Sequence, residues 1–186
     1  FAASVDESKG VLVGVLTEIH PQSVSMVALD GYRLAVSTEK MNSGQENHFI
    51  ISAKIINEIS KIIAEDGDAE EVEIYLGKKK ATFRIDTTEI VLRLMEGEYI
   101  KYRDIMPTQS TTDIVIGRAI LQESIERASL LAREGKNNLI KMTIKNNLLT
   151  ITSRSEEGNV KEEIIMEKEG EDLEIGFNSK FVIDVL

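Results

Sequence analysis

Short apolar runs broken by turn-forming residues dominate the opening of the chain. Stretches 11–19, 24–29 and 33–37 carry β-branched or apolar residues at strand length, and 49–52 adds another short run. Pro21-Gln22-Ser23 and Asp30-Gly31 stand where tight reversals belong. The period then changes. Ile55, Ile56, Ile59, Ile62 and Ile63 form one helical stripe, with Lys54, Glu58, Lys61 and Glu65 outside it and Gly67 as a C-terminal stop. Strands are predicted again at 72–76, 81–85 and 90–95, joined by Gly77-Lys78-Lys79-Lys80 and by Asp86-Thr87-Thr88. Residues 96–112 lack clear periodicity and hold Pro107 with a run of small polar residues. They read as a linker between a domain at 1–110 and a second at 111–186. Beyond it, 114–116 predicts a strand and 120–131 a helix with Leu121, Ile125, Ala128 and Leu131 on one face. Strands follow at 139–144, 148–153 and 160–166. Lys145-Asn146-Asn147-Leu148 reads as a hairpin turn, because both asparagines tolerate positive φ. A strand at 173–177 and a helix opening at Asn178 complete the pattern.

The pattern repeats. Phe49-Ile50-Ile51-Ser52-Ala53-Lys54-Ile55-Ile56-Asn57-Glu58-Ile59 resembles Ile175-Gly176-Phe177-Asn178-Ser179-Lys180-Phe181-Val182-Ile183-Asp184-Val185, matching Lys54 to Lys180 and Glu58 to Asp184. At the same offset of about 126 residues, Ala2-Ala3 falls on Ala128-Ser129. This period is too long for a solenoid and suits a small α+β domain used in tandem. Each copy reads helix, three strands, a strand running into a helix, then three strands.

Composition narrows the class. With 186 residues, 42% hydrophobic and 29% charged, the chain is long enough for one or two domains, and its apolar residues recur throughout, which excludes a disordered tail. No apolar run approaches the roughly 20 residues a membrane span requires. The absence of cysteine excludes disulfides, thiolate metal sites and cysteine nucleophiles, and is consistent with a cytosolic protein. The chain begins at Phe1, ends at Leu186 in mid-pattern and carries no targeting signal, so it reads as a piece of a longer chain cut at both ends. A formal net charge of −10 opposes association with DNA or anionic membranes, so any nucleic-acid role must come from a local basic face or from topology.

No catalytic constellation emerges. His20 and His48 both flank turns and match no metal-ligating spacing; there is no glycine-rich phosphate loop and no nucleophile elbow. The acids at 66–71 read as a solvated helix-to-strand loop. Lys78-Lys79-Lys80 reads as a hairpin tip that blocks edge pairing, with phosphate contact the minor alternative. A small carboxylate-dependent hydrolase built on Asp30 or on the 66–71 acids would need a converging base and nucleophile, which the sequence does not supply. Asp30-Gly31-Tyr32-Arg33-Leu34-Ala35 is more informative. An aromatic and an arginine on a glycine turn beside an apolar strand either rim a shallow binding pocket or decorate an ordinary hairpin.

Ala28-Leu29-Asp30-Gly31-Tyr32-Arg33-Leu34-Ala35 resembles the A-T-D-G-[HY]-R-L-A signature of the bacterial sliding clamps, the beta subunits of DNA polymerase III. Leu12-Val13-Gly14-Val15-Leu16, Leu130-Leu131-Ala132-Arg133-Glu134-Gly135-Lys136-Asn137-Asn138 and Gly176-Phe177-Asn178-Ser179-Lys180-Phe181 match in order, the second in a form similar to the Gram-positive branch. The resemblance covers essentially the whole chain. It implies the DNA-clamp fold, three copies of one α+β domain per subunit, with antiparallel sheets outside and two helices per domain on the inner face. On this mapping 1–110 is the middle domain without its first residues, and 111–186 is the C-terminal domain without its final strands.

The resemblance further implies a processivity factor of DNA replication with no catalytic site of its own and no cofactor. Such a factor is an accessory subunit of a DNA-directed DNA polymerase, a nucleotidyltransferase, and acts in the cytoplasm at the nucleoid. A homodimeric ring would encircle double-stranded DNA without sequence preference, and Lys9, Lys54, Lys61, Arg127 and Lys180 are the expected DNA-facing cations. DNA polymerase III alpha subunit, clamp loader, other polymerases and repair proteins would insert short linear peptides into a pocket formed by the second and third domains. The pocket positions map to Leu12, Leu29, Gly31, Tyr32, Arg33, Leu34, Ile100, Ile105, Asn178 and Phe181. Leu29 stands where Thr is common, Ile100 where Pro is, and Asp104 where Arg is frequent. Leu130 and Leu131 map to the dimer interface. The reading as a stand-alone peptide-binding module without a DNA role is disfavoured by the repeat. With a first domain and a last pocket strand absent, this piece is expected to bind peptides poorly and not to close a ring.

Overall fold

A computed structural model describes residues 1–66, 71–132 and 138–186. The chain falls into two units, Phe1–Ile105 and Met106–Leu186. In unit 1 a 3-10 segment, Glu7–Val13, precedes β1 (Gly14–His20), β2 (Ser23–Leu29), β3 (Leu34–Lys40) and β4 (Asn47–Ser52). These pair antiparallel in the order β3-β2-β1-β4. The last strand passes without a loop into α1 (Ala53–Asp66), and a three-stranded antiparallel sheet follows: β5 (Glu73–Leu76), β6 (Lys80–Ile85) and β7 (Thr88–Arg93). The isoleucine stripe of α1 packs on Phe49, Ile51, Phe83, Ile85 and Leu92, so the helix-period pattern meets the strand-period pattern in one core.

In unit 2, β8 (Thr112–Val115) and α2 (Arg118–Ala132) precede β9 (Leu139–Lys145), β10 (Leu148–Ser155), β11 (Gly158–Ile165), β12 (Glu167–Gly170), β13 (Leu173–Asn178) and α3 (Ser179–Ile183). The main sheet runs β11-β10-β9-β13, the same order as in unit 1, and β12 pairs with β8. The registers coincide as well. Leu16 faces Val27 and Ile50 in unit 1, and its counterpart Lys141 faces Thr152 and Gly176 in unit 2. Ala2 and Ala3 pack on Ala28, as Ala128 packs on the counterpart Ser153, whose Oγ donates to the Ala128 carbonyl at 2.7 Å. The two units are copies of one ladder.

Four local expectations are corrected. The strand expected at 11–19 starts only at Gly14. Gly10 takes φ 60, ψ −123, and Asp6 caps the segment by accepting from the Ser8 N–H, so Val11 and Leu12 tuck under the sheet instead of joining it. The aperiodic stretch 96–112 contains a 3-10 turn, Tyr102–Ile105, whose Tyr102 is 4% exposed in the unit 1 core. Strand β12, Glu-Lys-Glu-Gly, has no apolar alternation to reveal it; backbone pairing with β8 holds it. At the 145–148 hairpin only Asn146 adopts positive φ. The expected stop at Gly67, the acids at 67–70 and the 133–137 part of the family motif lie outside the described residues.

α2 also differs from its expected face. Ile125 and Ala128 are buried as expected, but Ser124, Ser129 and Ala132 join them while Leu131 is only half-buried. Small side chains let the helix lie close on β10 and β11, and the Ser129 hydroxyl donates to the Glu126 carbonyl at 2.7 Å. Arg127 fastens α2 to β11: Nε and Nη2 donate to Glu162 Oε2 at 3.1 and 2.8 Å. Among the described residues no helix is long and apolar enough to cross a membrane.

Two outcomes follow for stability. Gly170 has φ +89, and a Cβ there would lie 2.1 Å from the Thr111 carbonyl oxygen. Gly170→Ala should therefore lower the stability of unit 2 by about 2 kcal/mol or more, read as a fall in urea midpoint. The Arg127 hydrogen bond holds the Glu162 carboxyl below its ordinary range, so the strut is intact at neutral pH and is lost as pH falls through that lowered value. Glu162→Gln should lower Tm by about 1–3 °C at pH 7 and by less at pH 3, measured by circular dichroism.

Candidate functional site

The Asp30–Arg33 turn joins β2 to β3, and its shape follows from one carboxylate. Asp30 Oδ1 accepts from the backbone N–H of Tyr32 at 2.9 Å and of Arg33 at 3.1 Å, and Oδ2 accepts from Arg33 Nε at 3.1 Å. Gly31 takes φ 96, where a side chain is strained. The turn therefore throws Tyr32 outward, 85% exposed, and folds Arg33 back, mostly covered, with Nη2 donating to the Phe1 carbonyl at 2.8 Å and the guanidinium 5.7 Å from the Phe1 ring.

Beneath the turn, Leu29 is buried, and it shares a cluster with Leu16, Val27, Ile50 and Tyr102, against which Leu12, Leu34 and Tyr99 pack. Leu12 and Leu34 are half-buried against this cluster, and Leu29 is covered by other side chains. Ile100 and Ile105 differ: they are 42% and 59% exposed on either side of the buried Tyr102. The unit 1 candidates accordingly divide into an apolar cluster, a polar turn and two outward isoleucines. In unit 2, Asn178 caps α3, its Oδ1 accepting from the Lys180 N–H at 3.0 Å, and Phe181 is half-buried in the same helix.

The segment carrying Ile100 and Ile105 is held by residues the sequence reading passed over. The Tyr102 hydroxyl donates to Glu18 Oε2 at 2.7 Å, and Arg103 donates through Nη1 and Nη2 to Oε1 and Oε2 at 3.0 and 2.7 Å. The Arg103 hydrogen bonds lower the Glu18 pKa, so this carboxylate is ionised at neutral pH. Burial, and then the bond to Glu18, pushes the Tyr102 phenol up to about 12. Burial also raises the Tyr99 phenol, whose hydroxyl lies 3.4 Å from the carbonyls of Gly14 and Val27. No sequence signal pairs Glu18 with residues 84 and 85 positions away; Asp30, by contrast, was legible inside its motif.

The cationic candidates are all exposed. Lys54 pairs with Glu7 at 3.0 Å, Lys61 with Glu58 at 2.7 Å and Arg127 with Glu162. Lys9 and Lys180 have no ion pair among the described residues, and Lys54 and Lys180 each occupy the second position of the helix that leaves the sheet. Lys79 of the lysine run pairs with Glu96 at 2.7 Å. Leu130 stands on α2 with 63% of its surface exposed beside half-buried Leu131. Among the described residues no group of three His, Asp or Glu side chains converges as a metal ion would require.

Residues 1–101 match the family model for the DNA polymerase III beta subunit central domain, and residues 103–186 match that for its C-terminal domain. A beta sliding clamp of Staphylococcus epidermidis is 37% identical over the whole chain, which spans 50% of that relative. The crystal structure of a putative DNA polymerase III beta subunit from Eubacterium rectale superposes with a TM-score of 0.93 at 33% identity, over 99% of this chain and 50% of its own. A sliding clamp from Pseudomonas aeruginosa, solved bound to griselimycin, gives 0.90 at 29% identity over 100% of this chain and 50% of its own. The chain thus spans about half the length of its curated relatives and, with both family models matched in order and the ladder duplicated, belongs to the DNA polymerase III beta subunit family.

Proposed function

We propose that this chain supplies the second and third domains of a sliding clamp, a homodimeric ring that encircles duplex DNA in the cytoplasm and tethers the replicative polymerase to it. The observation that carries this reading is the duplicated, same-register ladder whose final strand runs into a helix with a lysine at the same place in both copies, Lys54 and Lys180. Repetition of one unit is a way to assemble a closed ring, and an exposed lysine at the same place in each unit would give the DNA backbone a weak, sequence-independent partner. Weakness is a requirement, since a sliding ring must not be arrested by its contacts. The net charge of −10 and the carboxylates beside Lys54, Lys61 and Arg127 support it.

The second part of the proposal concerns partners. Within unit 1, Tyr32, Arg33, Ile100 and Ile105, with Gly31 shaping the turn and Leu12, Leu29 and Leu34 beneath, serve to bind short peptides of polymerase alpha subunit, clamp loader and repair proteins; within unit 2, Asn178 and Phe181 are assigned to peptide contact of their own. Exposed aliphatic and aromatic side chains beside an oriented arginine have the composition of a peptide hot spot. The exposed Leu130, with Leu131, is assigned to the contact between subunits. Catalysis belongs to the tethered polymerase, with no cofactor in the clamp.

In a full-length clamp carrying this sequence, retention on circular DNA should exceed retention on linear DNA, which a stand-alone peptide module would not distinguish. Lys9→Glu with Lys54→Glu should weaken retention at low salt and reduce the salt slope by about one per lysine; an unchanged slope would reject the assignment of those two residues. Tyr32→Ala, at an exposed turn position, should weaken griselimycin binding about tenfold by fluorescence titration without changing Tm.

A further inference from the structure

After β7 the chain crosses back over the face of the β3-β2-β1-β4 sheet that α1 does not cover, and a single side chain decides where it lands. Glu18, near the middle of β1, is 16% exposed at its side chain. Both of its oxygens are engaged by two consecutive residues of the returning segment: the Tyr102 hydroxyl on Oε2 and the Arg103 fork on Oε1 and Oε2. The Arg103 guanidinium also stacks 4.7 Å from the Tyr102 ring centroid, so phenol, carboxylate and guanidinium close one compact triangle. Backbone bonds from the Tyr102 N–H to the Ile100 carbonyl and from the Asp104 N–H to the Lys101 carbonyl tighten the segment around this anchor.

Burying the Tyr102 ring against Leu16, Val27, Leu29 and Ile50 favours contact but is non-directional. The charged fork supplies direction: it accepts one rotation and one register of residues 100–105. That pose leaves Ile100 and Ile105 facing water at a hydrophobic cost, while a hollow of about 390 Å³ lined by Leu16, Glu18, His48, Ile50, Ile100 and Arg103 opens beside Ile100. Other groups face Glu18 from each neighbouring element: His48 opposite on β4, Ser25 opposite on β2 and His20 two places along its own strand. Arg103, from the returning segment, is the cation hydrogen-bonded to the carboxylate.

We infer that Glu18 is a positioning residue for peptide capture: with Tyr102 and Arg103 it locks residues 100–105 so that Ile100 and Ile105 are presented before a ligand arrives. The inference rests on the peptide-binding reading above and adds to it a residue that acts through the segment it holds. A segment competent only part of the time binds more weakly in proportion to its competent fraction, and preorganisation by the latch removes that loss.

The test uses a full-length clamp carrying this sequence, with griselimycin as the probe and hydrogen exchange as the second measurement. Glu18→Gln and Tyr102→Phe should each weaken griselimycin about five- to twentyfold, and Arg103→Ala should add little in the Glu18→Gln background, because the latch is already open. Tyr102→Phe keeps the buried ring, so a well-folded variant is available whatever Glu18→Gln does. Amide exchange in both should rise more at residues 100–105 than in β1 and β2. Unchanged affinity in both variants would overturn the inference. So would a loss of affinity with exchange raised equally across β1, β2 and 100–105, which would make Glu18 a general stabiliser of the sheet. If the unmodified clamp fails to bind griselimycin while exchange at 100–105 still responds to Glu18→Gln, the peptide reading is the part that has failed, and the positioning role falls with it.

Discussion

In both units a strand turns into a helix with no intervening loop, and the placement of the core follows from that junction. β4 ends at Ser52 and α1 begins at Ala53; β13 ends at Asn178 and α3 begins at Ser179. With no slack, the pleat of the strand sets the side of the sheet to which the helix returns, and the alternation that turns Phe49 and Ile51 to one face delivers them to the isoleucine stripe of α1. In unit 2 Ile175, Val182 and Ile183 pack against one buried cluster by the same rule. Lys54 and Lys180 inherit equivalent positions because they follow equivalent junctions.

What separates the two copies is the other face of the ladder. In unit 1 it is built from Leu16, Val27, Leu29 and Ile50, an apolar surface that demands cover, and the 97–105 segment supplies it through Tyr99 and Tyr102. In unit 2 the counterparts of Leu16, Val27 and Ile50 are Lys141, Thr152 and Gly176, and the face is closed by surface pairs such as Lys141 with Glu174 at 2.8 Å. The apolar face of unit 1 holds the segment that follows β7, with Tyr102 buried there between the outward Ile100 and Ile105. Duplication made the scaffold, and divergence of one sheet face made the candidate site.

Charge is organised on a similar principle. The candidate DNA-facing cations stand on an acidic molecule, and three of them are coordinated by carboxylates of the same unit. Exposed pairs of this kind add little to stability. They do lower the field each cation projects, and the proposed sliding along DNA would benefit from that attenuation. Arg127 is the exception in role: its bonds to Glu162 tie α2 to the sheet.

The strand and helix periods, the repeat, the turn at Asp30-Gly31 and the surface identity of the lysines are legible in the residue order alone, because each is written in neighbouring residues whose spacing reports local geometry. The apolar pattern could not reveal β12, whose backbone hydrogen bonds with β8 are indifferent to side-chain type. It could not show that Ser124 and Ser129, rather than Leu131, face the sheet, since that depends on how closely α2 approaches it. Nor could it find order in the stretch after β7, where a buried tyrosine and an arginine are fixed by a glutamate far back in the chain. Only the tertiary structure decides which distant groups meet, because long-range pairing is set by the packing of whole sheet faces and leaves no periodic trace in the residues that take part.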